Sequence, residues 1–518
     1  MQNNTKITLY VLFVLFFAGL IDSSYLSYKH FFEPLSTCSI GLFGNCGEVL
    51  HSPYSVIFGI PVAVFGIVHY LILSFLIIMA IALDDFLYKR FSFIQTAIGV
   101  VFSAYLTFLQ VFIIKAMCPY CLLSAVISLS LYILLRTYWI RDYRSFVWAK
   151  CEIVYKLFFK PIFFMFSPEW VHEQAMFWGE KSGNVSFVRR LFGQFFYFTD
   201  PALKQKIAGI SFKNPIGLSA GYDYMASFYR ILPAIGFGFE TIGTISNEPC
   251  EGNEKPRLGR LPKSRSLLVN KGFRNPGADR IIQKLKREYF SFPVGISIGK
   301  TNCVETAGTQ KKGVEDVVLG FQKFLKSPVR NGYYELNISC PNLKGGVTFY
   351  SPKELSVLLN ALDKLKIEEP VFVKMPIEKS DKEVRSMLDV ISKHKWITGV
   401  IFGNLQKDRK DSSFVTQEVR RAGQGNFSGR PTYRRSNELI KLAYKEYGKR
   451  FVIIGSGGVF SADDAYRKIR FGATLIQMIT GMIFEGPQRI SQINEGLVVR
   501  LKADGFSHIS EAIGADAK

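Results

Sequence analysis

The sequence predicts two joined folds: an N-terminal four-helix transmembrane bundle and a C-terminal α/β (β/α)8 barrel with a short helical N-terminal extension. Three observations predict this. The first 140 residues hold four apolar runs, each long enough to cross a bilayer. From about residue 211 the chain alternates short β-rich runs with helical patterns, eight times over. Charge divides the same way: residues 1–150 carry nine Lys/Arg and six Asp/Glu, and the rest carry 55 and 36. The boundaries that follow are 1–140 for the bundle, 141–205 for a linker with an amphipathic helical extension, and 206–518 for the barrel.

Composition excludes several classes. Of 518 residues, 48% are hydrophobic and 46 are Phe, so long disorder is ruled out. Eight cysteines are too sparse for a disulfide-stapled miniprotein. The net charge of +22 lies mostly in the second half. A basic domain tethered to a bilayer fits attraction to anionic headgroups. No zinc-finger spacing or RNA-binding motif is present, so neither a metal nor nucleic acid is expected.

The four membrane runs are roughly Ile7–Ser27, Val56–Leu83, Phe91–Ile114 and Tyr120–Trp139. The first is too long for a signal-peptide core, lacks a small-residue cleavage pattern and is followed by three more spans. Lys6, the Lys89-Arg90 turn and the cluster Arg136, Arg141, Arg144 and Lys150 fall on one side, whereas residues 31–55 contain no Lys or Arg. The positive-inside rule then places both termini and the barrel in the cytoplasm.

Four cysteines fall on the opposite, outward side. Cys38 and Cys46 lie in the first loop, and Cys118-Pro119-Tyr120-Cys121 opens the fourth span. A Cys-x-x-Cys pair at a helix N-terminus has one thiol of lowered pKa, which suits thiol–disulfide exchange. A structural disulfide or a metal half-site would use the same residues. A second pair beside it favours exchange, because one pair can relay electrons to the other.

The barrel strands are expected near Ile216–Ser219, Glu240–Gly243, Val294–Ile298, Tyr334–Ile338, Val371–Lys374, Gly399–Phe402, Val452–Ile454 and Leu475–Met478. In this fold the active site lies at the C-terminal strand ends, with phosphate bound after strands seven and eight. Gly455-Ser456-Gly457-Gly458 follows the seventh run and Thr480-Gly481 the eighth, so their backbone N–H groups suit a flavin mononucleotide phosphate. Asn270, Asn337, Asn342 and Asn404 fall at strand ends or in adjoining loops. Their amides offer donors and acceptors to a cyclic imide. Lys374, ending the fifth run, suits negative charge on a reduced flavin. Between Arg141 and Leu203 the chain is aromatic and basic, and Glu169–Met176 reads as a short amphipathic helix at a lipid-side entrance.

Residues 5–140 resemble the vitamin K epoxide reductase family in its bacterial form. The resemblance rests on Cys38 and Cys46, on Ser52-Pro53, on Phe58-Gly59-Ile60-Pro61 and on Cys118-Pro119-Tyr120-Cys121. It implies that Cys118 and Cys121 face a quinone and that Ser52 hydrogen-bonds a quinone carbonyl. Cys38 and Cys46 would then bring electrons from a thioredoxin-like thiol protein on the outer face.

Residues 165–500 resemble dihydroorotate dehydrogenase, in its membrane-associated, quinone-reducing class. The motifs are Lys213–Leu218, Ser219-Ala220-Gly221, Ile242-Gly243-Thr244, Lys255-Pro256-Arg257, Asn337–Asn342, Phe427–Pro431 and Ile483–Pro487. The resemblance implies an FMN site of Ala220, Gly221, Thr244, Ser297, Asn337, Lys374, Asn404, Gly429, Gly457, Gly458, Thr480 and Gly481. It implies a substrate site of Asn270, Gly272, Phe273, Asn337, Asn342 and Asn404. Dihydroorotate would lose a proton from C5 and a hydride from C6, and a quinone, ubiquinone or menaquinone, would take up the electrons. Cys340 stands where this class has Ser, as in the soluble class, and is the expected base. Tyr224 stands where Lys is usual, Ser297 where Asn is usual, and Gly403 and Leu405 flank Asn404 where Thr is usual.

The reading is thus a membrane oxidoreductase with two quinone-linked halves, a thiol oxidase making disulfides and a dihydroorotate dehydrogenase serving pyrimidine biosynthesis. Two alternatives remain for the barrel: an FMN oxidoreductase for another substrate, or a flavin-binding scaffold without turnover.

Overall fold

The computed structural model describes residues 2–32, 46–82, 86–343 and 346–517. The chain divides into two compact units, residues 1–146 and 147–518.

The first unit is built on helices α1 (Gln2–Phe32), α2 (Val62–Ala82), α3 (Phe86–Phe108) and the start of α4 (Pro119–Val154). Among the described residues, four segments are long and apolar enough to span a membrane: Tyr10–Phe32, Val62–Ala82, Leu87–Ile114 and Pro119–Arg136. These are the four expected spans, with boundaries moved by up to six residues. Their apolar side chains point both ways. Leu12, Phe16, Tyr70, Leu73, Ile77, Ile127 and Leu131 pack inward as one cluster. Val14, Phe17, Leu71, Phe75, Val101 and Val126 remain exposed, as a lipid-facing surface requires. Small residues allow close helix approach: a Cβ on Gly19 would lie 2.3 Å from the Tyr70 ring, and one on Gly66 2.7 Å from Ser23 Oγ.

The second unit is a closed barrel of eight parallel strands. They are β1 (Ile216–Leu218), β2 (Phe239–Ile245), β3 (Val294–Ile298), β4 (Tyr333–Asn337), β5 (Val371–Met375), β6 (Ile397–Phe402), β7 (Val452–Ser456) and β8 (Leu475–Met478). Each coincides with an expected run. The strands pair in sequence order, with β8 closing onto β1. Full burial explains their near-continuous apolar runs, since helices cover the outside and side chains fill the inside. Register then sets the site. Asn337 pairs with Lys374 across β4 and β5, which brings an amide and an ammonium together at one end.

Two additions shape that end. Strands Leu258–Leu261, Ser266–Val269 and Asn426–Gly429 form an antiparallel sheet. The loop Asn270–Phe273 follows its central strand. Helices α5 (Pro168–Asn184) and α6 (Ser186–Phe196) form the extension. α5 is longer than the short helix expected. It starts where Ser167 accepts a hydrogen bond from Trp170 N–H, with Pro168 at its first turn. Its inner face buries His172 and Met176, while Trp170, Phe177 and Trp178 stay exposed. Ion pairs hold it to the barrel loops: Glu169 with Arg257 at 2.8 Å and Arg274 at 3.1 Å, and Glu173 with Arg274 at 2.7 Å.

Candidate functional site

Nearly all the strand-end residues singled out in the sequence open onto one cavity of about 420 Å3. Ala220 and Gly221 reach it from β1, and Thr244 from β2. Asn337, Cys340 and Asn342 come from β4 and its loop, Lys374 from β5 and Asn404 after β6. Gly457 and Gly458 follow β7, and Thr480 and Gly481 follow β8. Gly272, Phe273 and Gly429 complete its wall from the small sheet. Its outer wall is the extension, through Phe163, Phe164, Val171, His172 and Ala175.

The amides are fixed by one another. Asn337 donates to Thr244 Oγ1 at 2.7 Å and accepts from Ser339 N–H and Oγ–H at 3.1 and 2.9 Å. Asn404 donates to the Ser339 carbonyl at 2.7 Å. Asn342 donates to the Val269 carbonyl at 3.0 Å and accepts from Asn426 at 2.6 Å. Lys374 donates to Ser219 Oγ at 3.2 Å and lies 3.6 Å from the Glu335 carboxylate. Such preset donors cost little to reorganise when a ligand arrives.

Two expected ligand residues do not line this cavity. Ser297 donates to Glu335 at 2.7 Å and meets Thr244 Oγ1 at 2.9 Å, so it braces Thr244 from within the barrel. Asn270 accepts from Asn253 at 2.9 Å and holds the turn that carries Lys271 and Gly272. On either side of Asn270, Val269 and Lys271 face the cavity instead.

The glycine turn after β7 fits a phosphate. Gly457 and Gly458 have φ of 93° and 71°, and a Cβ at either would lie 2.4 Å from Thr432 or Tyr433. Gly481 is equally tight, since a Cβ there would lie 2.0 Å from the Val459 carbonyl. Only glycine leaves this backbone open to an approaching anion.

Cys340 faces the cavity, but its surroundings do not lower its pKa. Burial pushes the thiol up to about 12, outweighing the Asn342 N–H and the Lys374 ammonium. The neutral thiol is therefore the resting form at pH 7.

Sequence reasoning missed one cluster here. Lys271 Nζ donates to His172 Nδ1 at 2.9 Å and sits 4.2 Å from the centre of the Tyr224 ring. His172 Nε2–H donates in turn to the Tyr222 carbonyl at 2.8 Å. Burial pushes the ammonium down to about 7, assisted by Arg274 and opposed by Glu169 and Glu173. A lysine inside the Asn270–Phe273 run was the available signal.

The bundle holds a second cavity, of about 480 Å3, lined by Ser52, His69, Gln95, Gln110, Cys121 and Ser124 among others. Cys118 and Cys46 are buried in one cluster with Leu26, Val49, Leu50 and Ala116, and Cys121 packs against it. Cys121 N–H donates to Cys118 Sγ at 3.5 Å and Cys118 N–H to Gln110 Oε1 at 3.0 Å. Three of the four expected redox cysteines thus converge, and Cys38 lies outside the described residues. The expected lowering of the Cys118 thiol does not hold in this reduced form. Its hydrogen bond with the Cys121 thiol, and then burial, push it up. Ser52 Oγ–H is engaged with the Val49 carbonyl at 2.9 Å while facing the cavity.

Comparison with known proteins finds a family for each unit. Residues 202–501 match the family model for dihydroorotate dehydrogenase, and residues 10–135 match that of the vitamin K epoxide reductase family. A dihydroorotate dehydrogenase (quinone) of Trichodesmium erythraeum is 34% identical over 366 residues, 67% of this chain and 94% of that protein. One of Synechocystis sp. is 36% identical over 330 residues, 62% of this chain and 85% of that protein. The crystal structure of the dihydroorotate dehydrogenase of Eimeria tenella in complex with ferulenol matches with a TM-score of 0.59 and 27% identity, covering 68% of this chain and 96% of that one. The polar strand ends, the glycine turn and these matches lead to one conclusion: the chain is an oxidoreductase that belongs to the dihydroorotate dehydrogenase family and carries a vitamin K epoxide reductase family domain at its N-terminus.

Proposed function

We propose that the barrel oxidises dihydroorotate to orotate and passes the electrons to a membrane quinone, with FMN as its flavin. The observation that carries this is the convergence of Asn337, Asn342, Asn404, Lys374 and Cys340 with the Gly457-Gly458 turn on one cavity whose outer wall is apolar. FMN, when bound, supplies a two-electron acceptor between substrate and quinone. Gly457, Gly458, Thr480 and Gly481 would hold its phosphate, and Ala220, Gly221, Thr244 and Lys374 would line its ring. Asn342 and Asn404 orient the substrate imide, and Cys340 takes the C5 proton. A thiol of raised pKa must lose its own proton first, and the Asn342 N–H and Lys374 stabilise the thiolate that does the work. The quinone would enter past Phe163, Phe164 and His172, which line the cavity, from a bilayer met by Trp170, Phe177 and Trp178, whose exposure supports this reading.

The bundle, in the same reading, oxidises thiols of a thioredoxin-like partner on the outer face and reduces quinone in the Ser52–Cys121 cavity. Cys38 and Cys46 receive the electrons and Cys118 and Cys121 deliver them. The chain then sits in a bacterial inner membrane with the barrel on the cytoplasmic side. Labelling of intact cells after reduction tests this topology: a thiol reagent should reach Cys38 or Cys46 and not Cys250 or Cys303.

The deciding experiment for the barrel is anaerobic addition of dihydroorotate to the purified chain. Bleaching of a copurified FMN spectrum is expected. A chain that binds FMN yet stays oxidised would overturn dihydroorotate as substrate, and a chain with no flavin would overturn the enzymatic reading of the barrel.

A further inference from the structure

Lys271 stands out among the charged groups of the barrel cavity. It is only 9% exposed, and it lines the cavity. Among the described residues no carboxylate lies within 4 Å of it, whereas the other cavity ammonium, Lys374, has Glu335 at 3.6 Å. The carboxylates that act on Lys271 are Glu169, engaged by Arg257 and Arg274, and Glu173, engaged by Arg274. His172 cannot neutralise it. Its Nε2–H is given to the Tyr222 carbonyl, so Nδ1 offers only a lone pair, which aims the ammonium without carrying charge. The Tyr224 ring adds a cation–π contact on one side. The result is a buried, oriented amine at the cavity wall, beside Gly272 and Phe273, with no paired carboxylate and a pKa of about 7, so that an anion beside it would hold it in the ammonium form. Burying such a charge is costly unless something anionic meets it.

We propose that Lys271 neutralises the negative charge of the cavity's occupants, with His172 and Tyr224 as its positioning residues. The proposal rests on the reading of the barrel as a flavin-dependent dihydroorotate oxidase. That reading supplies two anions, the substrate carboxylate and the reduced flavin ring, and the same ammonium chemistry serves either. Tyr224 is its partner in space: a lysine at 224 would bring an ammonium into the volume that Lys271 fills.

The test uses the full-length chain with FMN bound. In Lys271→Met, orotate affinity is read from the perturbation of the flavin absorbance, and the flavin midpoint potential from an equilibrium dye titration. If the charge meets the carboxylate, orotate binding weakens at least tenfold and the potential holds. If it meets the flavin ring, the potential falls. In either case Tyr224→Lys on the Lys271→Met background should restore the quantity that moved. Failure of that restoration would overturn the assignment of a charge role to Lys271. So would unchanged values of both in Lys271→Met. Should Lys271→Met lose its flavin, Lys271→Gln is read instead, and unchanged values there overturn the proposal equally. If dihydroorotate fails to bleach the wild-type flavin, the substrate reading falls, while the potential still decides the role of Lys271.

Discussion

The bundle and the barrel arrange their polar groups in opposite ways. In the bundle, hydroxyls mostly return to their own helix: Ser24 to the Leu20 carbonyl, Ser27 to Ser23, Thr96 to Ser92 and Thr107 to Ser103. In the barrel, polar side chains tie distant strands together: Asn337 to Thr244, Gln477 to Thr241, Asn404 to Ser339 and Lys374 to Ser219. The difference follows from the solvent. In lipid a side chain with no partner has no water to fall back on, so a hydroxyl uses the nearest carbonyl, one turn away. A barrel interior instead brings eight strand ends together, so partners come from anywhere in the chain. The bundle's hydroxyls are therefore satisfied by spacing along one helix, and the barrel's polar groups by closure of the whole sheet.

The largest expected effect tests whether the two chemistries are independent. Cys118→Ala or Cys121→Ala should abolish quinone-dependent disulfide formation while flavin reduction in the barrel stays at the wild-type rate. Cys38→Ala should block transfer from the protein partner and leave a small dithiol usable as reductant. Full disulfide-forming activity in Cys121→Ala would remove the bundle's half of the comparison.

The next effect lies in the barrel. Cys340→Ala removes the base, and general-base effects run to about 10²–10⁴-fold, so stopped-flow flavin reduction should slow within that range with the FMN spectrum intact. Cys340→Ser should sit near the ~10² end. A wild-type rate in Cys340→Ala would assign the proton to another group.

The pH profile sharpens the same point. The Cys340 thiol is raised to about 12, so its thiolate is scarce at neutral pH and grows as pH rises. The flavin-reduction rate of the wild type should therefore climb roughly tenfold per unit from pH 6.5 to 9.5. A plateau reached by pH 7.5 would show that bound substrate has brought the thiol down.

The smallest effects probe the hydrogen-bond contrast. Asn337→Ala removes the amide that joins Thr244 to Ser339, leaving Thr244 only Ser297 and Ser339 only Asn404, and should cost about 1–3 kcal/mol of barrel stability. Ser27→Ala in the bundle removes only a bond to its own helix and should cost below about 1 kcal/mol. Denaturation monitored separately for each unit would measure both, and equal losses would refute the contrast.

Legibility follows the same line. The four spans, the eight strands, the Cys118–Cys121 pair and the Gly457-Gly458 turn were all readable, because each is a short-range pattern: a run of apolar residues, a period, a fixed spacing or a backbone demand. Asn337, Asn342 and Lys374 were readable at one remove, because strand ends in this fold share one rim. Ser297 and Asn270 were assigned to the ligand but bond protein groups beside the cavity, Ser297 to Glu335 and Thr244 and Asn270 to Asn253. Motif spacing alone does not set which partner a buried side chain takes.

By itself the sequence determined that a membrane bundle precedes a barrel and which segments carry the chemistry, since helix, strand and turn preferences act over a few residues. Only the tertiary structure decided what those segments meet. His172 and Lys271 are 99 residues apart and come within 2.9 Å. Cys46 joins Cys118 in one buried cluster although α2 and α3 lie between them in the chain. The Cys340 thiol is held neutral by the burial around it rather than by its neighbours in sequence. The physical reason is common to all three: burial and charge depend on everything within a few ångströms, and closure of the barrel and packing of the helices decide what that is.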